Sequence, residues 1–280
     1  MEPYKYRIKI AGNFEEKKLK YLLEKMSITV NSSKTIRLKE ESLFLGWIEL
    51  ESDHKLLENS IFQHGLKEFK EKFSVDIETK KVNKKNMAIF VSNQGHCLKE
   101  VLTRWEKGEL DCNIPLVISD HDTYRKYVES YGIEFYNLKL TKRDKKTEQK
   151  ALHILDSENI DFISLARYMQ VLPSEFVSIY SNNIINIHHS LLPAFVGANT
   201  YQRAFDRGVK VIGSTAHYVT EELDEGPILI QKAINIDEGL GLKDYKNFIR
   251  MTETETLIDA IRYHINDKVL VYNNKAVLLK

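Results

Sequence analysis

Apolar and polar residues alternate from Tyr4 to Ala11, and the alternation stops at Gly12-Asn13. A period of two predicts a half-buried strand. From Phe14 to Met26 the period becomes helical, with Leu19, Leu22, Leu23 and Met26 on one face. Ile28–Leu38 and Leu43–Leu50 read as strands joined by the charged turn Lys39–Glu41. Phe62, Leu66, Phe69 and Phe73 mark a second helix and its core, and Val75–Thr79 a last strand. The order βαββαβ predicts a ferredoxin-like domain over residues 1–80. Residues 81–86, within the basic stretch Lys80–Asn86, read as a linker; a phosphate-binding patch is the alternative.

A different pattern runs from 87 to 280. Met87–Val91, Ile114–Ser119, Phe135–Leu140, Phe162–Leu165 and Ile184–Ile187 are apolar runs of buried-strand type separated by helical segments. Strand, the turn Ser92–Cys97, then a helix to about Lys107 is the opening of a doubly wound, Rossmann-like α/β domain. Val211–Val219 and Ile228–Ile236 read as strands flanking the loop Thr220–Pro227. A helix over Glu253–Ile265 and a hairpin at Asn273-Asn274 close the chain.

The candidate chemistry sits where Ile184–Ile187 runs out. Asn186 and His188 share a face of that strand, and Pro193 and Gly197 forbid regular structure beyond it. An Asn amide can hold a developing oxyanion without carrying charge. A His can give or take a proton, and an acid such as Asp224 can orient it. The trio suits attack on an acyl or formyl carbon. Taken alone, Asn-x-His more often does no more than satisfy loop backbone groups. His188 and His189 are adjacent and cannot both face one ion from a strand, so no metal site is read.

Composition narrows the classes. The chain has 280 residues and a net charge of +1, with 29% charged residues of mixed sign. That is room for two domains and no electrostatic footprint for nucleic acid. Cys97 and Cys112 have no metal spacing and predict reduced thiols in a cytoplasmic protein. No apolar run is long enough for a membrane span. The single Gly95 is not a dinucleotide fingerprint, so no nicotinamide cofactor is expected.

Asn186-Ile-His188, Ser190–Pro193, Gly213–His217 and Leu223–Pro227 together resemble the folate-dependent formyltransferase superfamily. Leu165–Gln170 and His217–Pro227 are similar to its deformylase branch, and the likeness is dense from about Met87 to Gln231. The resemblance implies hydrolysis of 10-formyltetrahydrofolate to tetrahydrofolate and formate, feeding purine synthesis, with folate as substrate and no cofactor. It makes Asn186, His188 and Asp224 catalytic and Met169, Gln170, Val171 and Leu172 a wall of the pterin pocket. His217 would stand near the substrate tail, and Glu222, Leu223 and Gly226 would serve through loop contacts. In related transferases that formylate glycinamide ribonucleotide, the first turn cradles a phosphate; here His96 and Cys97 would fill it, leaving water as acceptor. Arg167 reads either as an ion-pair residue or as a substrate contact.

The first domain resembles ACT domains, which implies regulation or pairing into a homo-oligomer. Its turn Gly12–Lys18 lacks their Gly-Ile pair, which favours pairing through sheet edges. Thr200 stands where deformylases carry Pro, with Asn199 or Thr200 able to cap the helix. Lys232–Gly241 also departs from them. Lys142–Lys146 reads as a solvated loop. The alternatives are transfer to an amine acceptor such as glycinamide ribonucleotide, or a catalytically silent folate or amino-acid sensor. Methionyl-tRNA formylation fits poorly, since no basic face is apparent.

Overall fold

Tyr6, Ile8 and Ile10 point to one side of the first strand, and that side is the floor of a small core. The computed structural model describes residues 3–38, 43–140, 144–194, 200–237 and 239–279. The chain divides into two units, Met1–Asn83 with Leu278–Lys280, and Lys84–Val277. In the first unit the order is β1 (Tyr4–Gly12), α1 (Glu16–Lys25), β2 (Thr29–Leu38), β3 (Leu43–Ser52), α2 (Ser60–Phe73) and β4 (Asp76–Lys81). The strands form one antiparallel sheet in the order β2-β3-β1-β4, as the alternation predicts. Leu19 and Leu23 of α1 and Phe62, Leu66 and Phe69 of α2 pack on Tyr6, Ile8, Ile10, Ile48 and Leu50. Asn59 caps α2 by accepting from the Phe62 amide at 3.0 Å. Gly12 has φ +146°, and a Cβ there would lie 2.5 Å from Val75 Cγ1, so this turn needs glycine. The turn Lys39–Glu41 lies outside the described residues.

The second unit begins with β5 (Lys85–Val91), α3 (His96–Glu106), β6 (Cys112–Ser119), α4 (Arg125–Glu129) and β7 (Glu134–Asn137). It continues through α5 (Lys145–Ser157), β8 (Phe162–Leu165), α6 (Ser174–Ile179), β9 (Ile184–His188) and α7 (Thr200–Asp206). Then follow β10 (Val211–Tyr218), β11 (Ile228–Asn235), α8 (Leu242–Ile265), β12 (Val269–Tyr272) and β13 (Lys275–Leu278). A seven-stranded sheet has the order β11-β10-β9-β8-β5-β6-β7. β5 to β9 are parallel neighbours, while β10 runs antiparallel to both β9 and β11. Met87–Val91 and Phe162–Leu165 are buried at every position, as expected for parallel strands covered on both faces. Connectivity reverses at β5, and the crevice beyond the carboxyl ends of β5 and β8 is where such sheets place ligands.

The structure departs from the sequence pattern at three elements. β7 ends at Asn137, where its register with β6 stops at Ser119–Asn137; the Leu138 amide still donates to the Ser119 carbonyl at 2.7 Å, and Leu138 and Leu140 then continue into the core. α8 starts at Leu242, before the expected Glu253. Its Tyr245, Ile249, Thr252, Glu253, Leu257 and Ile261 are all buried, but the polar Thr252 and Glu253 interrupt the apolar stripe that would mark them. The charge run at Lys142–Lys146 is part helix: Asp144 caps α5 by accepting from the Thr147 amide at 3.1 Å. Lys142 and Arg143 lie outside the described residues, as does Asn199.

Candidate active site

The register of β9 against β10 sets Asn186 opposite His217 and His188 opposite Thr215. Residues paired across antiparallel strands share a face, so Asn186 Nδ2 meets His217 Nε2 at 3.2 Å. His217 Nδ1 donates to the Tyr218 carbonyl at 2.9 Å, which fixes the ring and turns Nε2 toward the Asn186 amide. His188 lies on the same side of β9 as Asn186. Its Nδ1 is 3.2 Å from Asp224 Oδ2, and Asp224 Oδ1 is 3.6 Å from His217 Nε2. His188 Nε2 is buried and has no hydrogen-bond partner among the described residues.

Asp224 arrives on the loop between β10 and β11. That loop is clipped at its base: the Tyr218 amide donates to the Pro227 carbonyl at 2.9 Å, and the Val219 amide to the Ile184 carbonyl at 2.9 Å. Gly226 passes so near Tyr218 that a Cβ would lie 1.8 Å from the Tyr218 carbonyl oxygen. Asp224 itself has φ +59°, a left-handed geometry that a non-glycine residue adopts only when its surroundings hold it there. Burial works to raise its pKa, but the hydrogen bonds and charges of His188 and His217 prevail. The carboxyl therefore titrates well below the usual carboxylate range and is an anion at neutral pH.

These groups form one end of a cavity of about 410 Å³, a size suited to a small organic ligand. Met169, Gln170, Val171 and Leu172 line it, with His217 and Leu223. Met169, Val171 and Leu223 are large apolar side chains left half exposed at its rim. Two strand ends fix the loop after β8. Gln170 Nε2 donates to Asp120 Oδ2 at 2.7 Å, and the Met169 amide to Ser92 Oγ at 3.0 Å. Glu222 and Gly226 stand in the Asp224 loop but do not line the cavity.

His96 and Cys97 are the first two residues of α3, directly after the turn. Neither lines the cavity. Cys97 is wholly buried, and burial together with the Glu253 charge pushes its thiol pKa up. His96 Nε2 meets Glu253 Oε2 at 2.6 Å. The Gly95 amide instead donates to Tyr124 Oη at 2.8 Å, and Tyr124 Oη donates to the Asn93 carbonyl at 2.8 Å. A Cβ on Gly95 would lie 2.3 Å from the Tyr124 ring. Tyr124, just before α4, thus adds bulk at this turn, and the turn motif does not contain it.

Gln94, Arg167 and His189 also line the cavity, and sequence reasoning missed or left open all three. Arg167 Nη1 pairs with Glu253 Oε1 at 3.0 Å, and its Nη2 donates to Gln94 Oε1 at 3.2 Å. Arg167 is therefore an ion-pair residue that also lines the cavity. Burial of Glu253 works against its ionisation, but the His96 hydrogen bond and the Arg167 charge prevail, so it is an anion. The doublet His188-His189 was the only signal for His189. Glu253 enters the sequence reading only as the start of the closing helix. Among the described residues no group of three or more His, Cys, Asp or Glu is arranged to hold a metal ion.

Comparisons with known proteins extend over this whole assembly. Residues 85–261 match the Formyl transferase family. A formyltetrahydrofolate deformylase of Bacillus subtilis is 46% identical over 69% of this chain; the matched stretch spans 65% of that relative. The crystal structure of a formyltetrahydrofolate deformylase from Pseudomonas syringae superposes with a TM-score of 0.91 at 33% identity, covering 99% of this chain and 95% of that one. A glycinamide ribonucleotide transformylase from Symbiobacterium toebii gives 0.66 at 28% identity, over 70% of this chain and 95% of its own.

Proposed function

The chain belongs to the formyl transferase family, in its formyltetrahydrofolate deformylase branch, and we propose that it hydrolyses 10-formyltetrahydrofolate to tetrahydrofolate and formate. One observation carries the assignment. His188 stands beside Asn186 at the end of a folate-sized cavity, with Nδ1 on an ionised Asp224 and a buried Nε2 left open. Asn186 donates to the formyl oxygen and stabilises the oxyanion of the tetrahedral intermediate. His188, as an imidazolium held by Asp224, supplies a second donor and passes its proton to N10 of the leaving folate. Asp224 orients His188 and helps to position the water. The apolar rim of Met169, Val171 and Leu223 covers the face of the pterin and benzoyl rings, and Gln170 and the loop backbone read their polar edges.

Water is the acceptor because the turn before α3 is filled, with Tyr124 on the Gly95 amide and His96 drawn onto Glu253. The ferredoxin-like unit pairs copies of the chain into a homo-oligomer through its sheet edges, which light scattering of the purified protein tests. Both cysteines are free and buried, consistent with a cytoplasmic enzyme feeding formate to purine synthesis.

The deciding assay mixes protein and 10-formyltetrahydrofolate and follows formate, with and without glycinamide ribonucleotide. Formate release without the ribonucleotide, reduced on the order of 10²–10³-fold in Asn186→Ala, is the expected result. Turnover only with the ribonucleotide would overturn it in favour of a transferase. Silence in both with folate bound would make the chain a sensor.

A further inference from the structure

One buried imidazole of the cavity takes no part in that mechanism. His189 lines the cavity with Asn186 and His188 and is 8% exposed. Its ring centroid is 5.1 Å from that of His188. Asp224 is poorly placed to be the final acceptor of the water's proton, since one of its oxygens lies on His188 and the other faces His217. Building on the hydrolase assignment, we propose that His189 is the general base, taking a proton from the attacking water while His188 delivers one to N10.

The surroundings of His189 keep it unprotonated and ready to accept, at some cost in basicity. Burial, and after it the Arg167 charge, lower its pKa to about 4, and His188 adds to this. Glu253 and Asp224 act in the opposite sense. The ring is therefore neutral at pH 7 and carries a lone pair, and the Glu253 carboxylate stabilises the cation once it forms. The carboxylate of Asp224, bound by two histidines, titrates lower still and is the weaker base.

The steps balance. The water O–H bond breaks toward His189 as its oxygen bonds to the formyl carbon, and the carbonyl pair moves onto the oxygen held by Asn186. Collapse restores that carbonyl and breaks the C–N10 bond, and N10 takes the proton of His188. Formic acid ionises, its proton going to solvent, and the proton on His189 returns to His188. Water and the formyl amide have become an amine, formate and one released proton.

Hydroxylamine separates a base from a merely structural residue. It attacks through a neutral nitrogen lone pair and needs no proton removed beforehand. Formate and formylhydroxamate are measured side by side in wild type, His189→Gln and His189→Ala, together with folate binding. Hydrolysis is expected to fall on the order of 10²–10⁴-fold, while hydroxamate formation falls less than tenfold and folate still binds. In His189→Ala, added imidazole restores part of the hydrolysis. An equal loss of both reactions, or hydrolysis within threefold of wild type, would overturn the proposal. A wild type that releases no formate would fail before any variant is compared, and would remove the hydrolase assignment along with the base.

Discussion

Glu253→Gln removes one charge from a buried cluster while preserving its shape. The side chain is wholly buried, 3.0 Å from Arg167 Nη1 and 2.6 Å from His96 Nε2, and Arg167 is only 4% exposed. Deleting the anion leaves a largely buried guanidinium without its charge partner. Breaking a buried pair in this way costs roughly 3–5 kcal/mol, and the retained amide oxygen places Glu253→Gln at about 3 kcal/mol. For a unit of this size each kcal/mol moves the melting temperature by about 2–4 °C, giving a fall of about 6–12 °C. The assay is thermal unfolding by calorimetry, reading the transition that also shifts when 10-formyltetrahydrofolate is added. The double variant Arg167→Met/Glu253→Leu replaces the pair with apolar side chains of similar volume and should recover most of the loss. A single variant that melts within 2 °C of wild type would refute the reasoning, as would a double variant no better than the single.

Three further outcomes follow from the geometry. Gly226→Ala drives a Cβ against the Tyr218 carbonyl, and a backbone atom cannot yield as a side chain can. The displaced loop carries Asp224 with it, so kcat should fall at least tenfold with little change in the far-ultraviolet circular dichroism. Asp120→Asn loosens the hold on Gln170 without touching His188; it should raise KM several-fold and leave kcat within twofold, as steady-state kinetics will show. Asp224→Asn should lower kcat on the order of 10²-fold or more, and it carries a pH signature. The folded-state pKa of Asp224 lies below its ordinary value of 3.8, so the stability it contributes is present above that value and is lost as pH falls toward the folded pKa. The gap in melting temperature between wild type and Asp224→Asn should therefore be widest above pH 4 and close below it.

Much of this was legible in the chain because local pattern and global fold agree. Met87–Val91 and Phe162–Leu165 could only be buried strands, and Asn186 and His188 two apart on such a strand had to face the same way. What escaped reading depends on partners far apart in sequence. Tyr124 closes the start of α3 from 29 residues beyond Gly95, and no turn motif contains it. Glu253 reaches Arg167 and His96 only because α8 packs against α3 and the sheet, and a carboxylate amid threonines resembles any solvated helix face. α8 itself was half missed because over residues 242–252 only Tyr245, Ile249 and Thr252 are buried, too thin an apolar stripe to mark a helix.

The clipped base of the Asp224 loop separates two jobs that a loop usually mixes. With Tyr218 bonded to Pro227, and Gly226 seated against the same residue, the span from Val219 to Pro227 behaves as a fixed-length cassette. The acid at its far side is anchored by histidines from two strands, so the tip residues Glu221 to Leu223 are free to change character without moving it. Variation there would reshape the rim of the cavity, which Glu221 and Leu223 line, while Asp224 keeps its place. Insertion or deletion of a single residue in the cassette would disarm the enzyme.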